Sequence, residues 1–255
     1  MGIITNFISQ LPYYLLGLPV ILISLSFHEM AHAYVAYRLG DSTAYNFGRV
    51  TMNPLKHIDP IGFICMVLFH FGWAKPVPIN SRNFRKPKRD MALTALAGPA
   101  SNFILAIVFL IILRLAMVIE ISTFGSETIR EIYYSLFTGE TVDVSKAFTA
   151  SSILVYILFD GVVINISLAI FNFIPVPPLD GSRILYIILP TKIYFGIMRY
   201  ERYIYIALMV LLFTGFLDTP LSFLVNGLYN LFCKVSFMPE ELSMILRYVS
   251  YGLFG

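Results

Sequence analysis

Residues 11–38 read LPYYLLGLPVILISLSFHEMAHAYVAYR, an apolar run from Leu11 to about Tyr37 that carries two histidines and a glutamate. Its length exceeds the about 20 apolar residues that a helix needs to cross a bilayer. His28 and His32 stand four apart, which puts them on one helix face, one turn above the other. Imidazoles so spaced can share a tetrahedral zinc ion. Glu29 sits beside that face and can take a proton from water activated there, the chemistry of an H-E-x-x-H segment. Ionisable groups inside a span are costly unless they face a cavity and act in it. A polar cluster that merely packs helices is the bland alternative, and the pattern fits it poorly.

The rest of the chain agrees with a membrane setting. Of 255 residues, 58% are hydrophobic and 13% charged, whereas a soluble domain carries about 45–50% and about 25%. That balance excludes a soluble enzyme and a disordered chain. A net charge of +3 is no footprint for nucleic acid, so no nucleic-acid partner is expected. Cys65 and Cys233 lie far apart in apolar stretches and imply no disulfide framework.

Five further apolar stretches follow: 58–73, 91–119, 148–174, 203–217 and 221–235. The first, third and fourth in chain order are long enough to span. Basic side chains bracket the 58–73 stretch: Arg38, Arg49 and Lys56 precede it, and Lys75, Arg82, Arg85, Lys86, Lys88 and Arg89 follow. Basic loops stay cytoplasmic, so 58–73 is expected to enter the membrane and return. Its Pro60, Gly62 and Gly72 also disfavour a long straight helix. The loop 120–147, with Glu120, Glu127, Glu131, Glu140 and Asp143, is acidic and expected outside. The result is an extracytoplasmic N-terminus in the plasma (inner) membrane, with the first run retained as a span. A short extended hairpin pairing Val50–Asn53 with Pro76–Asn80 is expected at the surface.

A catalytic zinc site has three protein ligands and an open position. No Glu occurs between Glu29 and Glu120, so the third ligand is sought in Asn172–Gly181, NFIPVPPLDG. Pro175, Pro177 and Pro178 stop the fourth span there. Freed carbonyls at such a break are tolerated only where they line a cavity. Asp180 is therefore the expected ligand, with capping of a helix that starts near Ser182 as the alternative. His28 lies roughly 15 Å from the basic end of its helix, so Asp180 reaches it only if 58–73 is re-entrant. A zinc site and the charge asymmetry thus demand the same topology.

His28–His32 and Asn172–Gly181, with Ala97-Gly98-Pro99-Ala100-Ser101-Asn102 between them, resemble the site-2 protease family of intramembrane zinc metalloproteases. Gly48–Gly62 and Gly72–Pro78 look like its compact bacterial and archaeal branch, without the PDZ or CBS modules of larger members. The resemblance covers about residues 10–200 and implies an all-α polytopic fold. That fold is a three-helix catalytic core, a re-entrant segment or short extended hairpin, and one or two C-terminal helices within about 201–255, as a single membrane-embedded domain. It implies Zn2+ held by His28, His32 and Asp180, with Glu29 as general base. It further implies cleavage of transmembrane segments of other membrane proteins in the lipid bilayer, as in regulated intramembrane proteolysis. Cleavage requires unwinding of the substrate helix. Asn172 could bind the released strand or an oxyanion, or close the end of its own helix.

His57 and Asp59 could polarise the scissile carbonyl or brace the re-entrant loop. Asn102 and Asn165 are expected to hydrogen-bond between helices, and the Arg82–Arg89 run to meet anionic headgroups. Asp160, well up its helix, is expected to pair with water or Arg114. A metal or proton transporter would spread its polar groups along a path, whereas here they gather at one depth. A non-catalytic adaptor has no use for Glu29.

Overall fold

The computed structural model describes residues 2–69, 72–124 and 150–235. Among them every regular element is helical and no strand occurs. In chain order these are α1 Gly2–Arg38, α2 Thr43–Asn46, α3 Pro60–Phe69, α4 Pro87–Phe124, α5 Ala150–Phe173, α6 Asp180–Ile184, α7 Thr191–Met198, α8 Glu201–Phe213 and α9 Asp218–Val235. Three helical segments are long and apolar enough to cross a membrane, Leu15–Arg38, Pro87–Thr123 and Ile153–Phe173. They coincide with the first, third and fourth apolar stretches. The chain clusters into two compact units, Met1–Ile104 with Leu168–Met209, and Leu105–Ser167 with Val210–Gly255.

In the first unit α1 ends in a turn that only its sequence can make. Gly40 adopts φ +113, and the Asp41 and Gly40 amides return to the Ala36 and Tyr37 carbonyls at 2.9 and 3.2 Å, closing the helix C-terminus. Asp41 is fully buried and acts as a clasp. Its carboxylate accepts from the Thr43 hydroxyl and amide at 2.5 and 3.1 Å, from the Asn80 amide at 2.7 Å and from Asn83 Nδ2 at 2.8 Å. The clasp ties the end of α1 to the chain that leads into α4. Burial alone would raise its pKa, but these four bonds outweigh that and hold it below the ordinary carboxylate value. A depressed pKa means that the clasp stabilises fully above the unfolded value of about 3.9 and fails as pH falls through the folded one. Asp41→Ala is expected to cost about 2–3 kcal/mol, read as a lowered Tm in detergent with zinc content unchanged.

The 58–73 stretch holds a short helix whose flanking segments come back together, the geometry that a re-entrant segment needs. Helix α3 has 10 residues, about 15 Å, half of a hydrocarbon core of about 30 Å. Asp59 caps it, accepting from the Ile61 and Gly62 amides at 3.0 and 2.9 Å. The chain then returns: Ile58 and Ala74 form an antiparallel bridge, and the Lys75 amide donates to the His57 carbonyl at 2.7 Å. The return is tight enough that a Cβ on Gly72 would lie 2.7 Å from Met66 Cβ.

The expected extended hairpin needs correction. Among the described residues the pairing is this single bridge at Ile58 and Ala74, not a ladder between 50–53 and 76–80. Pro76 and Pro78 lack amide donors, and the Lys75 and Pro76 carbonyls are taken by the Arg49 guanidinium instead. The Arg82–Arg89 run is also partly structural. Arg89 pairs with buried Asp90 at 2.7 Å, and Lys88 Nζ donates to the Leu189 carbonyl at 3.0 Å over the Tyr186 ring.

In the second unit a Cβ on Gly161 would lie 2.6 Å from Phe109 Cγ, so α5 approaches α4 closely there. Phe159 meets Tyr229 edge to face at 5.8 Å. Asp160 is buried and hydrogen-bonds Tyr156. Asn165 donates to the Gly161 carbonyl of its own helix at 2.8 Å. Glu120, expected in a loop, is a buried residue of α4. The rest of the expected acidic loop, residues 125–147, lies outside the described residues, as do 236–255. Within 201–255 the described residues hold two helices, α8 and α9, as expected, and the short α6 and α7 precede them. Of those within 201–255, α8 has 13 residues, about 20 Å and too short to span by itself. Gly215 at φ +70 turns the chain into α9.

Candidate metal centre

The site is built where α1, α4 and the start of α6 meet within the first unit. Small side chains permit the approach: Ala33 and Ala36 on α1 and Ala92 and Ala95 on α4 are all buried. At Gly98 even a methyl group is excluded, because a Cβ would stand 2.5 Å from Cε1 of both His28 and His32. The α4 backbone therefore lies against both imidazoles.

The ring orientations follow from hydrogen bonds. His32 Nδ1 donates to the Thr94 carbonyl at 2.7 Å, and a carbonyl only accepts. His28 Nδ1 donates to Asn102 Oδ1 at 2.5 Å, and Asn102 Nδ2 donates to the Ser24 carbonyl at 3.4 Å, fixing the amide. Both Nδ1 atoms thus carry the proton, and both Nε2 atoms present bare lone pairs. The third group arrives from the broken end of α5. After Phe173 the chain turns through Ile174–Leu179, with a cis Pro177–Pro178 bond. Gly181 packs against the Phe173 and Ile174 carbonyls, where a Cβ would lie 2.6 Å from Ile174 C. Asp180 opens α6 but makes no capping bond. Its Oδ2 lies 3.1 Å from both His28 Nε2 and His32 Nε2, which are 3.0 Å from each other.

With both rings neutral, three acceptors buried at 3.0–3.1 Å from one another repel unless a cation, a metal ion or a proton, lies among them. Ligand atoms about 2.0–2.1 Å from a common centre in a tetrahedron stand about 3.3 Å apart. The donor set, two nitrogens and one carboxylate oxygen, suits zinc and leaves a fourth position open. His28 and His32 are 5% and 6% exposed. The expected ligands His28, His32 and Asp180 are thus brought together.

Glu29 is half-buried on the neighbouring face of α1, outside the ligand triangle, as a proton carrier would be. Asn172 Nδ2 donates to the Leu168 carbonyl at 3.0 Å, within its own helix. His57 Nε2 donates to the Thr51 carbonyl at 2.8 Å, and Asp59 caps α3, so both brace the re-entrant segment. Asn102 was legible only as an inter-helix hydrogen bonder; its specific task is to orient His28. The signal was present in the Ala97–Asn102 segment, but nothing there says which ring it meets. Outer partners of metal-bound histidines typically contribute 10–100-fold in affinity. Asn102→Ala is expected to weaken zinc binding by about that factor, measured by chelator competition on protein of unchanged helix content.

Comparison with known proteins agrees with the geometry. The family model described as "Peptidase family M50" matches residues 16–217. "Putative zinc metalloprotease YwhC" of Bacillus subtilis (strain 168) is 36% identical over 209 residues, 81% of this chain and 83% of that protein. "Putative zinc metalloprotease Rip2" of Mycolicibacterium smegmatis is 33% identical over 93 residues, 35% of this chain and 36% of its own. "Putative zinc metalloprotease MJ0611" of Methanocaldococcus jannaschii is 28% identical over 160 residues, 62% and 63% of the two chains. No solved structure matches the chain.

Proposed function

The chain belongs to peptidase family M50, the site-2 protease family, and from that premise we propose that it cuts peptide bonds inside the transmembrane segments of other membrane proteins. That it is a membrane-embedded zinc metalloprotease follows from the family, the relatives, the apolar helices and the donor set. The single observation that carries the intramembrane reading is the position of that donor set. His28 and His32 belong to Leu15–Arg38, a helix apolar enough to span, so the scissile bond must come to them within the bilayer.

His28, His32 and Asp180 hold the zinc, which when bound lowers the pKa of water and polarises a carbonyl. Glu29 takes the proton released as water oxygen bonds to the substrate carbonyl carbon. As the C–N bond breaks, Glu29 delivers that proton to the leaving nitrogen. One amine and one carboxylic acid result. A peptide in a helix hides its carbonyl in an i→i+4 bond, so the substrate unwinds locally first. Asn172, in the last turn of α5 before the ligand-bearing segment, receives the released strand or the developing oxyanion with its carboxamide.

Basic segments on both sides of the re-entrant hairpin support a cytoplasmic site and an extracytoplasmic N-terminus in the plasma membrane. The whole chain then acts as one membrane-embedded domain in regulated intramembrane proteolysis. The experiment compares membranes carrying wild-type protein with membranes carrying Glu29→Gln protein. Fragments cut within transmembrane segments are expected only with the wild type. Identical fragment sets, or cuts confined to soluble loops, would sink this reading.

A further inference from the structure

One face of α4 meets all three groups of the metal centre. Lys88, Met91, Thr94, Gly98 and Asn102 recur every three or four residues, a single stripe of that helix. Its later part fixes the rings: Asn102 receives His28 Nδ1, the Thr94 carbonyl receives His32 Nδ1, and Gly98 lies against both. Asp180 has no such orienting partner among the described residues, since its carboxylate meets the two imidazoles alone. Where that carboxylate points is therefore set by the piece of chain that carries it.

That piece is short, and the start of the same stripe grips it. Asp180–Ile184 and Leu185–Ile187 form one helical run of about 13 Å. Pro190 ends it, as its ring carries no amide donor, and Lys88 Nζ supplies one to the Leu189 carbonyl at 3.0 Å. The same ammonium stands 5.4 Å from the Tyr186 ring centroid, a cation–π distance. Tyr186 in turn stacks on buried Tyr194 at 4.2 Å. One turn nearer the ligand, Arg183 Nη1 donates to Met91 Sδ at 3.9 Å. These contacts fall at Arg183, Tyr186 and Leu189, every third residue and so on one side of the run. Lys88 is half-buried, which strengthens its charge-assisted bond relative to an exposed one.

We propose that Lys88 is a positioning residue for the ligand Asp180: by holding Tyr186 and the Leu189 carbonyl, it sets the height and rotation of the run that Asp180 opens. Helix α4 is then the common template of the site. It places two ligands by their rings and the third by the far end of its helix. This rests on the zinc metalloprotease reading and adds to it the group that aims the carboxylate. Lys88 contributes no ligand atom itself, so its loss changes how well Asp180 binds and not which atoms bind.

The full chain in detergent is loaded with Co2+, whose visible d–d bands report ligand number and geometry. Lys88→Met keeps an apolar stem and loses the ammonium. It is expected to shift and weaken those bands and to lower Co2+ affinity about tenfold. Lys88→Arg, which can donate to the carbonyl and stack on Tyr186, is expected to restore most of both. Asp41→Ala is the structural control, expected to lower Tm and leave the bands unchanged. Tyr186→Leu takes the ring out of the grip and should move the bands in the same direction. It decides the matter if Lys88→Met protein does not fold. Lowered Tm with wild-type bands and affinity in Lys88→Met protein overturns the proposal, because the residue then only stabilises the fold. So does a band change that Lys88→Arg leaves in place. Wild-type protein that binds no Co2+ removes the metal assignment beneath the proposal, whereas Co2+ bound identically by wild type and variants removes the positioning role alone.

Discussion

Asp180→Ala protein is expected to purify without zinc and to cut no membrane segment at a detectable rate. The carboxylate supplies one of three ligand atoms, at 3.1 Å from both imidazole Nε2 atoms. Total zinc binding at structural sites is about 10–16 kcal/mol, so losing one ligand of three or four removes about 3–4 kcal/mol. That is a 10²–10³-fold loss of affinity. The remaining pair also loses the only anion of the triangle, so the positive ion is left with two neutral nitrogens. Metal analysis of the purified protein, beside a cleavage assay, reads both effects. Asp41→Ala is the control, because it loosens the clasp at the end of α1 without touching a ligand and should retain zinc. Full zinc content in Asp180→Ala would mean that the third ligand lies elsewhere and would undo the assignment.

The Asp180 result also bears on how the sequence encodes the site. The H-E-x-x-H segment is local, and helix geometry alone places its two rings together. Asp180 is 152 residues from His28, yet it was reachable by counting spans, because basic segments on both sides of 58–73 imply that this stretch does not cross. The second layer was less legible. Asn102 is 74 residues from His28, and the Thr94 contact to His32 is made by a main-chain carbonyl, which leaves no mark in residue type. The need for Gly98 arises only once both rings lie against α4. The expected hairpin does not form a ladder because Pro76 and Pro78 lack the amide donors that one needs. The clasp at Asp41 and the hold of Lys88 on the Leu189 carbonyl depend on contacts between separate segments, and periodicity carries no information on those.

Glu29→Gln separates the chemistry from the metal, and its expected effect falls on turnover alone. Glutamine has the shape of glutamate, and Glu29 stands outside the triangle of His28, His32 and Asp180, so zinc content should be unchanged. An amide at that place has no proton-accepting carboxylate, so the proton from water has no carrier to the leaving nitrogen. General acid–base groups contribute typically 10²–10⁴-fold, and the fall should appear in kcat with KM nearly constant, because no substrate contact is lost. The contrast with Asp180→Ala is the point of making both: one loses metal and rate together, the other rate alone. Retained turnover in zinc-loaded Glu29→Gln protein would place the proton elsewhere. A half-buried carboxylate one residue from His28 would then have no task that offsets its cost in an apolar helix. The same variant also distinguishes cleavage from transport, since an ion relay through this cluster would be altered without any peptide fragment ever depending on Glu29.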